Sequence, residues 1–298
     1  MRCRIAALQR HRHAFLMLLS CLLFAAMGVC VKFGAETFST GEIVFYRGFV
    51  SMLMMIGLAR LQGLSLRTPH WRMHVSRSVS GSVALSCSFF AIGILPLATA
   101  VTLNYTSPIF VALLLAAVFG ERLRPSALIA VLIGFAGVVL LLRPTLSADQ
   151  WLGALAGLGS GAVASIAYVS VRELGRAGEP EVRTVFWFSL VTSVFGLVGA
   201  LHAGPHVPAL DEFLTLLGVG VFGGLAQLAM TRSYRYGRTL VSANLSYATV
   251  VFASLFGALF WNEIMPWSSW VAVALIVASA ILISLPARKP RLAQAPRD

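Results

Sequence analysis

Ten apolar runs, each about as long as a bilayer is thick, constrain this chain more than any other feature. They fall at about 14–34, 43–61, 75–94, 97–119, 126–142, 151–172, 183–201, 211–232, 239–261 and 268–285. Crossing about 30 Å of hydrocarbon at about 1.5 Å per residue takes about 20 residues. In lipid a backbone N–H or C=O has no water to bond, so each run is expected to be a helix. A barrel strand needs only about 9–11 residues in strict alternation, and these runs are longer and do not alternate. The connections are short and carry Pro96, Pro125, Pro144, Pro180, Pro205 and Pro266, as breakers should. With 58% of residues apolar and 11% charged, against about 25% charged in soluble domains, no stretch is left over for a soluble domain. The Arg-rich start and Leu18-Leu19-Ser20-Cys21 look like a lipoprotein leader, but the apolar run continues to Val31. A retained first helix is therefore expected.

The net charge of +12 does not imply a nucleic-acid partner, because the basic residues form no single patch. They sit in clusters between apolar runs. With a cytoplasmic N-terminus and ten crossings, the inside receives Arg2, Arg4, Arg10, Arg12, Arg60, Arg67, Arg72, Arg77, Arg122 and Arg124. It also receives Arg172, Arg176, Arg183, Arg232, Arg235, Arg238, Arg288, Lys289, Arg291 and Arg297. Only Arg143, Lys32 and Arg47 fall toward the outside, so 20 of 23 basic residues obey the positive-inside rule. Dropping one helix would destroy that asymmetry. The expectation is a multi-pass protein of a bacterial-type inner membrane with both termini cytoplasmic.

The stretch Leu95–Pro144 returns as Gly237–Pro286 after a shift of 142 positions. Twelve of the fifty pairs are identical, among them Tyr105 with Tyr247, Glu121 with Glu263 and Pro144 with Pro286. Five helices per half means that the second half enters from the opposite side, so the repeat is inverted. Val29-Cys30-Val31-Lys32 and Val169-Ser170-Val171-Arg172 carry the same relation into the first segment of each half. Two like-built halves in opposed orientations give two nearly equivalent conformations, one open to each side, which is the basis of alternating access. The expected fold class is all-α integral membrane, ten transmembrane helices as two inverted five-helix repeats. A cytoplasmic tail occupies 1–13, the first repeat 14–144, the second 151–286, and a basic cytoplasmic tail 287–298.

Several motifs bear a family resemblance. They are Gly28 to Lys32, Glu42-Ile43-Val44-Phe45-Tyr46-Arg47, Leu97-Ala98-Thr99-Ala100, Tyr105-Thr106-Ser107-Pro108, Gly120-Glu121-Arg122 and Gly134 to Pro144. Over nearly its whole length the chain resembles the EamA-type carriers of the drug/metabolite transporter superfamily. The second copy departs in having Val250 where a proline is expected. The resemblance implies a ten-helix carrier with a central cavity lined by both halves, and many such carriers export amino acids or related metabolites.

Candidate solute-binding residues follow from polarity inside the membrane. An arginine within a membrane helix costs about 2.5–3.5 kcal/mol on insertion scales. Arg47 must therefore pair with Glu42, snorkel outward, or face a water-filled cavity as a clamp for a carboxylate. Asn104, Tyr105 and Ser107 crowd one turn of the fourth segment, and Asn244, Ser246 and Tyr247 lie at the matching height of the ninth. Helix–helix hydrogen bonding or a shared cavity would account for them. Pro108 lacks the N–H that would bond the Asn104 carbonyl, so it is expected to loosen the helix and free that carbonyl. Tyr168, Trp187 and Gln227 are further candidates, with Phe24 and Met27 beside them. Lys32 either snorkels outward or adds positive potential at the outer mouth. Glu121 and Glu263 are expected to brace the next helix or to gate through an ion pair with Arg122 or Arg124. Gly153, Gly157 and Gly161, spaced by four, read as a close-packing ridge or a surface for sliding.

The eleven acidic residues all fall in loops, tails or helix ends, which disfavours a buried-carboxylate proton relay. No phosphate-binding GxxxxGK[ST] motif occurs. The six histidines form no HExxH pattern and the four cysteines no CxxC. No metal, disulfide, cofactor or catalytic residue is therefore expected, and an integral-membrane enzyme is the remote alternative. The partners are the lipid bilayer and a small organic solute, zwitterionic or anionic, such as an amino acid, a derivative or an opine-type metallophore. Export is favoured, with import in the same fold as the alternative. Oligomeric state is left open, and a monomer is compatible with the reading.

Overall fold

A computed structural model describes residues 2–107, 109–111, 113, 114, 129, 132–134, 136, 137, 140, 150–204, 206, 208–236, 246, 248–263 and 266–284. Side chains are described from residue 15 onward, except at 172, 234–236, 276, 280, 281, 283 and 284. Every regular element among them is helical. The helices are α1 (Arg2–Gly34), α2 (Thr40–Leu61), α3 (Trp71–Ile94) and α4 (Leu97–Asn104), then α5 (Trp151–Arg176), α6 (Glu181–Ala203) and α7 (Leu210–Tyr236). The last two are α8 (Ala248–Trp261) and α9 (Trp267–Ser284). Six of these are long and apolar enough to cross a membrane: α1 from Phe15, α2, α3, α5, α6, and α7 to Ser233. The chain is thus an all-helical, multi-pass membrane protein. α1 to α4 correspond to the first four apolar runs, and α5 to α9 to the sixth through tenth. The fifth run contributes only scattered described residues.

Local chemistry sets the boundaries. Ser39 caps α2: its hydroxyl accepts the Glu42 N–H at 3.3 Å, and the Glu42 carboxylate accepts the Ser39 N–H at 2.9 Å. That reciprocal pair satisfies two orphan donors of the first turn. Pro96 and Pro180 precede α4 and α6, where a missing N–H costs nothing. α4 stops as an α-helix at Asn104. Beyond it Thr106 N–H bonds Leu103 C=O and Ile109 N–H bonds Thr106 C=O, both three residues back. Pro108, Glu121, Asn244 and Tyr247 lie outside the described residues.

Neighbours across the chain follow an exchange rule. α1 packs on α7 and α3 on α5; α1 packs on α8 and α4 on α5; α2 packs on α7 and α3 on α6. α2 also packs on α6, and α4 on α8. Swap α1 with α5, α2 with α6, α3 with α7 and α4 with α8, and this set of pairs is unchanged. Positions facing away from the bundle are apolar and exposed, such as Leu155, Val198, Leu225, Leu255 and Leu259, while Ser20, Ser51, Ser82 and Thr192 are buried. Their hydroxyls stitch helices together. Ser20 donates to Ala226 C=O at 2.8 Å, Ser51 donates to Gly220 C=O at 2.9 Å, and Ser82 bonds Thr192 at 2.8 Å. Small polar residues at contacts and leucine outside are what a helix bundle in lipid requires. The glycine ridge of α5 belongs to such a contact. A Cβ on Gly157 would stand 3.1 Å from Leu103 Cβ, and one on Gly161 would stand 2.7 Å from Thr106 Oγ1.

Opposite ends of α2 and α6 are tied by carboxylates. At one end Glu42 accepts the His206 N–H at 2.7 Å. At the other, Glu179 accepts from Thr68 Oγ1 at 2.6 Å and Arg183 at 2.9 Å, with His70 Nδ1 at 3.0 Å and His74 Nε2 at 3.3 Å. Burial alone would raise the Glu179 pKa, but the hydrogen bonds from Thr68, His70 and Arg183, with His74 close beside them, outweigh it and hold the group at about 2, against an ordinary 4.5. A depressed carboxylate contributes stability that is full above its ordinary value and is lost as pH falls toward the folded value, at about 1.4 kcal/mol per unit. Glu179→Gln is therefore expected to lower the melting temperature of the detergent-solubilised protein at pH 7. The difference from the parent should shrink as pH falls through the range from 4.5 to about 2.

Candidate solute cavity between the two halves

A cavity sits where the two sets of helices meet. The space in it open to the centre of a water molecule is about 130 Å³, whereas one water needs about 10–15 Å³ by this measure. It therefore has room for a small solute or a cluster of waters. Met27, Arg47, Arg77, Asn104 and Tyr105 line it from α1 to α4 and the turn after α4; Tyr168, Phe188, Gln227 and Thr249 line it from α5 to α8.

Arg47 neither pairs with Glu42 nor reaches the surface. Glu42 is committed to Ser39 and His206, and Arg47 is 1% exposed. Its guanidinium carbon lies 4.6 Å from the centre of the Phe188 ring. Space for the side chain comes from α7, where a Cβ on Gly223 would stand 3.3 Å from Arg47 Nε. Arg77, which the charge pattern assigns to the cytoplasmic flank, is instead inside α3 and 4% exposed. Its guanidinium lies 3.7 Å from the centre of the same Phe188 ring. Gly81, one turn on, leaves the gap: a Cβ there would stand 2.8 Å from Phe188 and 3.0 Å from Arg77. The signal in the sequence is the alternation Ser76, Ser78, Ser80, Ser82 around Arg77, a polarity that a lipid-facing helix would not carry. Phe188 had no such signal, since an aromatic in a membrane helix is ordinary packing.

The two guanidiniums cannot be farther apart than the sum of their distances to that ring. Like charges at about 8 Å repel by about 2 kcal/mol at an effective dielectric of about 20. Nε and one terminal nitrogen of each arginine are buried with no hydrogen-bond acceptor among the described residues, and so is Gln227 Nε2. Among the described residues no carboxylate pairs with either arginine.

The other sequence candidates divide. Asn104 and Tyr105 line the cavity and also join helices: Asn104 Nδ2 donates to Ser160 Oγ at 2.9 Å, and Tyr105 Oη donates to Thr249 Oγ1 at 2.8 Å. Tyr168, Gln227, Phe24 and Met27 line it too. Ser107 and Ser246 are buried but away from its wall. The Asn104 carbonyl, expected to be free for a ligand, is covered by α5, since a Cβ on Gly161 would stand 3.1 Å from it. Trp187 is absent from the wall. Its Nε1 donates to Leu66 C=O at 3.2 Å and its ring stacks on His74, near the Glu179 cluster.

Lys32 and Glu263 meet at the end of the bundle that holds the α3–α4 turn. The Lys32 ammonium pairs with Glu263, donates to Leu95 C=O at 3.3 Å and lies 5.0 Å from the Trp261 ring centre. Glu263 also accepts the Leu97 N–H, at 3.1 and 3.0 Å to its two oxygens. It thus braces the start of α4, not the helix that follows it, and its cation comes from α1.

Comparison with known proteins places this architecture. The family described as the EamA-like transporter family matches residues 11–143 and again 151–285. An "Uncharacterized transporter" of Helicobacter pylori is 30% identical, covering 91% of this chain and 94% of that protein. The "Pseudopaline exporter CntI" of Pseudomonas aeruginosa is 31% identical over 90% of this chain and 94% of its own. A "Riboflavin transporter" of Rhizobium johnstonii is 26% identical over 91% of this chain and 90% of that protein. A solved crystal structure shares the fold with a TM-score of 0.68 at 23% identity, covering 92% of this chain and 96% of the other. Two successive family matches spanning nearly the whole sequence, on a bundle whose contacts between the two sets of helices survive their exchange, make this chain a member of the EamA-like transporter family.

Proposed function

We propose that the chain is a secondary carrier of the inner membrane. It moves a small zwitterionic or anionic organic metabolite outward by alternating access, through ten helices in two inverted five-helix halves. The observation that carries this reading is the cavity between the halves, walled by both and lined by Arg47, Asn104 and Tyr105. A solute there contacts both halves at once, so its binding free energy differs between the two ways they can lean. With both termini cytoplasmic, as the arginine distribution favours, the Lys32–Glu263 end faces outward and the Glu179 cluster faces the cytoplasm. Alternation then consists of releasing one set of ties while the other holds. The relative named as a pseudopaline exporter supports the outward direction.

Radiolabelled amino acids and their N-alkylated derivatives, offered to inverted membrane vesicles, test this. Accumulation is expected in inverted vesicles above that in right-side-out ones. Asn104→Ala and Tyr105→Ala should each reduce the initial rate by about tenfold, as loss of a hydrogen bond to a charged group implies. Faster loading of right-side-out vesicles would replace export by import. Equal rates in the parent and both variants would remove the proposed site.

A further inference from the structure

Within the carrier reading, we propose that the transported solute bears two acidic groups, held by Arg47 and Arg77 across the Phe188 ring. The argument rests on what the cavity offers and what it lacks. Two side chains of fixed positive charge, both more than nine-tenths buried, line one small space. Both rest on one ring, and each leaves two nitrogens without an acceptor. The third lining residue with an unmet polar atom, Gln227, also presents a donor. Among the described residues, every buried, unpaired side-chain atom of the wall is thus a donor in want of an acceptor.

A guanidinium in a membrane interior is ordinarily compensated by a carboxylate, and here two share a cavity with none among the described residues. A solute with one carboxylate neutralises one of the two positive charges and leaves the other in excess. A solute with two would answer both, each through a planar fork that suits a carboxylate bidentately. Their shared contact with Phe188 limits how far apart the two groups can lie. Tyr168 and Gln227 are left to select what lies between them.

The test uses the full-length protein in lipid nanodiscs, with straight-chain dicarboxylates from succinate to adipate as probes. Monocarboxylates of equal carbon number serve as controls, with chloride at matched ionic strength. The expected result is a rise in melting temperature of several degrees with at least one dicarboxylate, and none with monocarboxylates or chloride. Arg47→Gln and Arg77→Gln should each abolish the dicarboxylate shift. Without ligand, each variant should melt at or above the parent, because removing an uncompensated buried charge relieves repulsion, whereas loss of a structural pair would lower it. Equal shifts from mono- and dicarboxylates, a shift from chloride alone, no shift from any anion, or an arginine variant that keeps the dicarboxylate shift would each overturn the proposal. Vesicle transport of a neutral or monoanionic metabolite alongside any of these would leave the carrier reading standing and remove only the second charge.

Discussion

Gly196→Ala should lower the melting temperature more than any other single-carbon addition to the bundle. A Cβ at Gly196 would fall 2.2 Å from Phe45 N, 2.6 Å from Phe45 Cα and 2.7 Å from Val44 C. These are backbone atoms of α2, so no rotamer change relieves the clash and the helices must separate. The contact is reciprocal. A Cβ at Gly48 would meet Ser193 N at 2.5 Å, and one at Gly41 would meet the Gly199 carbonyl carbon at 2.5 Å. Forcing extra volume into a packed interior costs about 1–3 kcal/mol, and a seam closed by backbone on backbone belongs at or above the upper end. Gly57 and Gly159 are controls, with nothing within 4 Å of an added Cβ. Alanine there should leave stability unchanged or raise it, since glycine within a helix is less favourable by about 0.5–1 kcal/mol. Melting followed by intrinsic fluorescence in detergent distinguishes these outcomes. A Gly196→Ala protein that melts with the parent would mean that α2 and α6 do not approach this closely. Because α2 and α6 are exchange partners, the same substitution is expected to slow transport even where the protein folds.

What could be read from the sequence depended on how local the cause was. The helices were legible because each lies in a long apolar run, and Pro96 and Pro180 were legible as breakers ahead of α4 and α6, whereas the Ser39 cap, which starts α2 at Thr40 and not near 43, was not. Arg47 was legible as a residue needing an explanation, since a charge in an apolar run stands out. Which explanation held was not, because it depends on Glu42 being taken by His206, 164 positions away. Arg77 was hidden by the same rule that oriented the chain. An arginine six residues inside α3 counts as a flanking charge until the helix is known to begin at Trp71. Trp187 went the other way: it looked like a cavity aromatic, but its distance along α6 from the Pro180 cap puts it beside the Leu66 carbonyl. Glu263 was expected to act on its neighbour in sequence, and acts on Lys32 and Leu97 because α1, α4 and α8 converge there.

That convergence makes Glu263 the residue whose loss should change transport most at the end of the bundle that holds the α3–α4 turn. Glu263→Ala removes two interactions at once, the ion pair to Lys32 and the brace on Leu97 N–H. Both side chains are mostly buried, at 16% and 13% exposed, so water screens the pair less than it would a surface pair. Removing one partner of a buried pair costs up to about 3–5 kcal/mol, and loss of an N-terminal helix acceptor about 0.5–2 kcal/mol. Under the proposed orientation this end faces outward, and loss of a pair that holds it shut favours the conformation open there. Two changes should follow. Transport in vesicles should fall by more than tenfold, since a tenfold change takes only about 1.4 kcal/mol. A cysteine introduced at Ala35, on the α1–α2 turn at the same end, should react faster with a membrane-impermeant thiol reagent than in the parent carrying only that cysteine. Glu263→Gln keeps an acceptor for Leu97 and should sit between the parent and Glu263→Ala. The exchange Lys32→Glu with Glu263→Lys restores the charge pair, but an ammonium cannot accept the Leu97 N–H, so rescue should be partial. Full rescue by the exchange would assign the whole effect to charge, and unchanged labelling in Glu263→Ala would show that this end is held without the Glu263 pair.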